Sequence, residues 1–224
     1  MKRILAIGGS RGIGLEAVRQ GLEQGFTVRV FARSAEAIPL SGPSLEKRTG
    51  NALDGDDVAA ALNGVDAVLL TLGVRPGPEM LVGPVRLFSA ATRVVVSAME
   101  GAGVKRLICV TGIGAGNSRS ALGCFASVPF QIFLAPVYDD KGTQEHLIRR
   151  STLDWVIARP VILTNGPKTG RYNVLVRPGE WRNGIISRAD VADFLLRQVD
   201  DDTYLGTAPV LRSSLRSLVF GAAR

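Results

Sequence analysis

The 224-residue sequence predicts an α/β protein built on a doubly wound parallel sheet with helices on both faces, and three observations predict it. Short apolar runs alternate with amphipathic stretches along most of the chain, the pattern of successive β–α–β units. The first run, Ile4-Leu5-Ala6-Ile7, leads directly into the glycine-rich turn Gly8-Gly9-Ser10-Arg11-Gly12-Ile13-Gly14. A helical stretch with Leu15, Val18 and Leu22 on one face follows. Hydrophobic residues make up 46% of the chain, and mean hydropathy is +0.19, the composition of a compact globular protein and not a disordered one.

Taken in order, Thr27–Ala32 reads as the second strand and Leu45–Thr49 as a short third. A short helix spans Asp56–Leu62, and the wholly apolar Ala67-Val68-Leu69-Leu70-Thr71 is a buried fourth strand. Leu81–Glu100 reads as a longer helix ended by Gly101 and Gly103, and Arg106–Thr111 as the fifth strand. The segment Phe125–Val137, with Phe130, Ile132, Phe133 and Leu134, is read as an unusually apolar loop. Such a loop can cap a flat acceptor, pack on the core or meet a second subunit. Asp139–Ser151 is a helix, and Trp155–Ala158 a strand stopped by Arg159-Pro160. Ser187, with Asp190 three residues on, makes a capping-box-like start for a helix over Ala189–Gln198. Ala208–Leu211 supplies a last strand. With no repeat and no linker, residues 1–224 read as one domain, with a substrate-side region over about 113–138 and 160–187.

Composition narrows the function classes. Lysine and arginine number 27 against 20 acidic residues, a formal charge of +7. These basic residues are scattered, with no run above two and no interleaved aromatics, so nucleic acid is not the expected partner. A diffuse positive field suits a small anionic ligand. No apolar run approaches the ~20 residues of a membrane span. Met1-Lys2-Arg3 and the four apolar residues after it resemble the start of a signal peptide, but the apolar part is short and runs into the glycine turn. With Cys109 in a strand and Cys124 in a loop, a reducing cytoplasm is expected. His146 falls mid-helix on the surface, so neither a histidine-based triad nor a metal site is expected.

Strand, glycine turn and helix in that order form a dinucleotide-binding fingerprint. Gly8 permits the tight turn, Gly12 lets the backbone approach a pyrophosphate, and Gly14 lets helix and strand pack closely. Ser10 and Ile13 lie within the turn, and the helix N-terminus offers free N–H groups to phosphate. At the end of the second strand, where an NAD site carries an acid for the ribose 2′-hydroxyl, stand Arg33-Ser34. An arginine fork there suits a 2′-phosphate, with Arg11 as a second approach, and NADP(H) is the expected cofactor. The other segments beyond strand ends should line the same crevice. Asn51-Ala52-Leu53 would flank the adenine, and Thr71-Leu72-Gly73 the ribose or pyrophosphate. Thr111-Gly112 and Arg159-Pro160-Val161-Ile162 would line the crevice further on, with the nicotinamide near Thr111, Lys141 and Val161.

These residues resemble the short-chain dehydrogenase/reductase superfamily with its Rossmann-like NAD(P)-binding fold. The likeness is to the atypical branch of the biliverdin-IXβ reductase and NADPH-dependent flavin reductase kind. It is carried by Val137-Tyr138-Asp139-Asp140-Lys141, by Ser151–Trp155 before Arg159-Pro160, by Gly166–Tyr172 and by Ile186–Asp190. The resemblance implies a monomer or weak dimer that reduces flavins, tetrapyrroles or similar flat conjugated acceptors with NADPH. Where that group carries a serine and a histidine beside its active site, this chain has Gly112 and Val161. The main branch of the superfamily uses a Ser-Tyr-Lys set with tyrosine four residues before lysine; here Tyr138 stands three before Lys141, with Thr111 or Ser118 in place of the serine. Tyr138, Lys141 and Thr111 are thus the candidate catalytic residues. Two other readings remain: an NADP(H)-sensing regulator of the NmrA type without turnover, and a sugar-nucleotide epimerase or dehydratase.

Overall fold

The computed structural model describes residues 1–74, 86–119 and 128–214, with the backbone alone for 128–134. Six strands form the centre of the sheet: β1 (Arg3–Ile7), β2 (Thr27–Ala32), β3 (Leu45–Thr49), β4 (Ala67–Leu70), β5 (Arg106–Val110) and β6 (Asp154–Pro160). Their spatial order is β3-β2-β1-β4-β5-β6, all parallel. The sheet continues through β10 (Val210–Ser213), parallel to β6, and ends on β8 (Tyr172–Leu175), antiparallel to β10. The winding reverses between β1 and β4, where Ile7 pairs with Phe31 on one side and Leu70 on the other. In such a sheet ligands bind beyond the carboxyl ends at this switch point.

Alternation along the strands sorts the core into two layers. Ile4, Leu69 and Ile108 face α1 (Gly12–Glu23) and α5 (Arg188–Arg197). Leu5, Val68 and Leu107 face α2 (Gly55–Ala61), α3 (Leu87–Ala102) and α4 (Val128–Arg149). The doubly wound architecture is therefore as expected. Helix α1 approaches the sheet through small residues, Gly14, Ala17 and Gly21, while Leu15 and Leu22 are half-buried. A Cβ at Gly21 would lie 3.1 Å from Val28 and 3.4 Å from Leu196, so the glycine sets the α1–α5 spacing. Gln20 ties the two helices by donating to the Ala189 carbonyl at 2.9 Å.

Three expectations are corrected. The apolar stretch read as a loop is helical from Val128 on, so Tyr138 lies inside α4; Phe125, Ala126, Ser127 and Cys124 lie outside the described residues. The helix carries Pro136 in its interior, where proline removes a backbone donor, and Pro129 in its first turn, where proline is tolerated. Helix α3 begins at Leu87, and residues 81–85 lie outside the described ones. Strand β6 runs through Arg159-Pro160. Alternate N–H groups of this segment donate to β10, and the position of Pro160 points towards β5, which has already ended, so no ladder bond is lost. Beyond Pro160 a two-stranded parallel ladder, β7 (Ile162–Thr164) on β9 (Ile185–Ser187), returns the chain to the N-terminus of α5. Ser187 caps α5 as expected, accepting from the Asp190 N–H at 3.0 Å. The Asp190 carboxylate meanwhile holds Thr169 and Gly170.

Candidate functional site

Around the glycine turn the backbone is packed beyond what a side chain would allow. Gly8 and Gly12 take left-handed conformations, φ +85° and +57°. A Cβ at Gly14 would lie 2.4 Å from the Gly8 carbonyl oxygen and 2.5 Å from Thr71 Oγ1. The Thr71 hydroxyl donates to the Ile7 carbonyl at 3.0 Å, and Gly8 N–H to Phe31 at 3.1 Å. The turn is thereby fixed to β2 on one side and β4 on the other, with the first N–H groups of α1 at the sheet's carboxyl edge. Those groups have no partner within the helix, and half-buried Ser10 sits among them. This cradle fits a dinucleotide pyrophosphate.

The flanking residues fall on the two sides of the turn. Arg33 and Ser34 are exposed at the end of β2. Lys47 Nζ braces the following turn from β3, donating to the carbonyls of Ile38 at 2.9 Å and Glu36 at 3.4 Å. Arg11, expected as a second approach to the 2′-phosphate, donates to the Gly73 carbonyl beyond β4 at 3.3 Å. The Asn51 turn is fixed by its own side chain, which accepts from Leu53 N–H at 3.1 Å, and by Asp57, which accepts from Asn51 N–H at 2.8 Å. Ala52 is half-buried there and Leu53 is 45% exposed, an apolar surface beyond the end of β3. Leu72 is half-buried and Gly73 exposed after β4.

At the end of β5, α4 delivers Lys141 and Tyr138. Lys141 Nζ donates to the Val110 carbonyl at 3.4 Å and lies 4.3 Å from the Phe88 ring centroid. Loss of hydration among these groups lowers its pKa to about 8. The Tyr138 ring stands over Gly112, where a Cβ would lie 3.6 Å from Cε1 and 3.8 Å from the hydroxyl. Burial raises the Tyr138 phenol above its ordinary range, which keeps it protonated but makes it a weaker acid. The expected serine substitutes are turned inward. Thr111 donates its hydroxyl to buried Glu145 at 2.8 Å. Ser118 closes its own turn, accepting from Gly114 N–H at 2.9 Å and donating to Ala115 at 2.7 Å. Val161 is buried, Ile162 is 60% exposed, and the Pro160 carbonyl accepts from Ile113 N–H at 3.1 Å.

The sequence reading placed Arg159 in the crevice, but the residue is fully buried beneath it. Its Nε and Nη2 donate to the two carboxylate oxygens of Glu145 at 2.9 and 2.5 Å, Nη2 also to Asn117 at 2.6 Å, and Trp181 stacks 5.2 Å away. This network clamps the 111–119 turn between α4 and β6. Asp140 was likewise missed. Its carboxylate accepts from the N–H groups of Phe88 at 2.7 Å and Ser89 at 3.3 Å, capping α3 from a neighbouring helix. Neither partnership has a local sequence signal, because both depend on how α4 packs.

Fold and crevice together define a dinucleotide-binding α/β protein. Residues 8–202 match the NAD(P)H-binding family, and the chain belongs to that family. An uncharacterized chloroplastic protein of Arabidopsis thaliana is 30% identical over 201 residues, covering 86% of this chain and 70% of its own length. Two further curated relatives are spanned over only 62% and 63% of their lengths. Among solved structures, ChuY of Escherichia coli O157:H7, an anaerobillin reductase, is 25% identical with a TM-score of 0.79, covering 96% of this chain and 98% of that one. A short-chain dehydrogenase/reductase of Veillonella parvula DSM 2008, in complex with NADP, shares the fold at 17% identity and TM-score 0.76, covering 96% and 95%. The chain is thus of an oxidoreductase-like NAD(P)-binding family. No helix among the described residues is long and apolar enough to cross a membrane.

Proposed function

We propose that the protein is an NADPH-dependent oxidoreductase that reduces a flat conjugated acceptor such as a flavin, tetrapyrrole or quinone. One observation carries the reading: the glycine turn at β1 and the Lys141 ammonium at β5 share one carboxyl edge with β4 between them. The likeness to an anaerobillin reductase supports a tetrapyrrole among the acceptors. Bound NADPH supplies the hydride. The chain's own residues bind and orient. The α1 N-terminus takes the pyrophosphate, Arg33 the 2′-phosphate, and Lys141, charged below about pH 8, the hydroxyls of the nicotinamide-side ribose. A conjugated acceptor can draw its proton from solvent, so the site needs no strong acid of its own.

Two outcomes follow. Calorimetric titration should show NADPH binding at least about tenfold more tightly than NADH, a difference of about 1.4 kcal/mol, and Arg33→Ala should abolish the preference. Equal affinities in the wild type would remove the NADPH assignment. Tyr138→Phe should cost less than about tenfold in turnover, since an essential proton donor is worth about 100-fold or more. A larger loss would make the tyrosine the acid and favour a carbonyl substrate.

A second reading, an NADP(H) sensor without turnover, is favoured by the inward-facing hydroxyls of Thr111 and Ser118 and the three-residue Tyr138–Lys141 spacing. Its signature is NADPH binding with no acceptor reduced.

A further inference from the structure

Arg188 is a residue to which neither the fingerprint nor the family likeness assigns a role. It is the first residue of α5, after the Ser187 cap, and its side chain reaches back along α1 to the glycine turn. A Cβ at Gly12 would lie 3.8 Å from Arg188 Nε and 3.9 Å from Cδ. The residue is half-buried, and Asn165 holds the guanidinium at the surface, its side-chain oxygen accepting from Nη1 at 2.7 Å. Asn165 immediately follows β7, so the contact joins the segment beyond β6 to the turn at β1.

The position is electrostatically costly. Arginine in the first turn of a helix opposes the partial positive charge of that end, and here the N-terminus of α1 adds a second one. The Asp190 carboxylate of the same turn faces Thr169 and Gly170, from which it accepts three hydrogen bonds, and makes no ion pair with Arg188. Arg188 forms no ion pair with a carboxylate among the described residues, unlike Arg159 or Arg197. The N-terminus of α1 and a guanidinium held by Asn165, without a carboxylate partner among the described residues, thus meet at Gly12, a concentration of positive charge that an anion would relieve.

We propose that Arg188 binds the cofactor pyrophosphate from the α5 side, with Asn165 holding the guanidinium in place over Gly12. The proposal rests on the cofactor reading above and adds to it a contact common to NADPH and NADH. It divides the labour of the arginines: Arg33 selects between cofactors, and Arg188 holds either.

Calorimetry on the acceptor-free protein tests this. Arg188→Met should weaken NADPH and NADH alike by about tenfold, leaving their ratio unchanged, and should flatten the salt dependence of binding. Arg188→Lys, which keeps a charge but not the fork, should fall between wild type and Arg188→Met, and Asn165→Ala should weaken binding with Arg188 intact. Unchanged affinity for both cofactors in Arg188→Met and Arg188→Lys would overturn the proposal. So would a loss confined to NADPH, which would assign Arg188 to the 2′-phosphate. Binding of neither cofactor by the wild type would overturn the cofactor reading itself and is told apart by that control.

Discussion

Gly14→Val is expected to raise the Kd for NADPH by about 100-fold or more, the scale of an ångström-sized misplacement of binding groups. Even the first carbon of the new side chain would lie 2.4 Å from the Gly8 carbonyl oxygen, 2.5 Å from Thr71 Oγ1 and 2.9 Å from Gly9 Cα. Two of those atoms are backbone and the third is fixed to Ile7, so α1 must move outward and take its N-terminal N–H groups from the crevice. Gly101→Ala in α3 is the control, because a Cβ there meets nothing within 4 Å. Titration of both variants beside the wild type, with circular dichroism to establish folding, checks the result. Unchanged affinity in folded Gly14→Val would mean that the turn holds no dinucleotide.

The second large effect lies beneath the crevice. Arg159→Met should destabilise the fold by about 3–5 kcal/mol, the cost of leaving one partner of a buried ion pair uncompensated. Glu145 is 1% exposed and receives two of its hydrogen bonds from Arg159, so its charge would remain in the core with Thr111 as donor and only Arg149, 3.9 Å away, as a cationic neighbour. For a chain of this size the loss lowers Tm by about 10 °C. Arg159→Met combined with Glu145→Gln should recover part of it, since the stranded charge is then gone. Thermal unfolding of the two singles and the double forms the cycle, and additive losses would show that the pair is not coupled.

The sequence made the first half of the molecule legible because its signals there are local. A glycine turn between an apolar strand and a helix requires nothing distant, and the strands at Thr27–Ala32 and Leu45–Thr49 end where they were expected to. Lys141 was legible through its spacing from Tyr138 and the resemblance, and its ammonium lies against the Val110 carbonyl at the end of β5. Partnerships made by packing were not legible. Arg159 looked like a crevice residue because an arginine before a proline marks a strand end, yet α4 supplies it with a carboxylate 14 residues earlier in the chain. Asp140 stood in the sequence only as part of the Val137–Lys141 likeness, and its role as a cap for α3 depends on how the two helices pack. Arg188 did carry a sequence signal, a cation in the first turn of a helix, which local energetics disfavours. The antiparallel β8 and the β7–β9 ladder were missed because their short strands pair with partners far along the chain.

Steady-state NADPH oxidation against a panel of FMN, FAD, biliverdin, quinones and small carbonyls tests the central claim most directly. The account predicts turnover with one or more of the flat conjugated acceptors, faster with NADPH than with NADH, and little or none with small carbonyls. NADPH binding without oxidation by any acceptor, or turnover confined to small carbonyls, would contradict it.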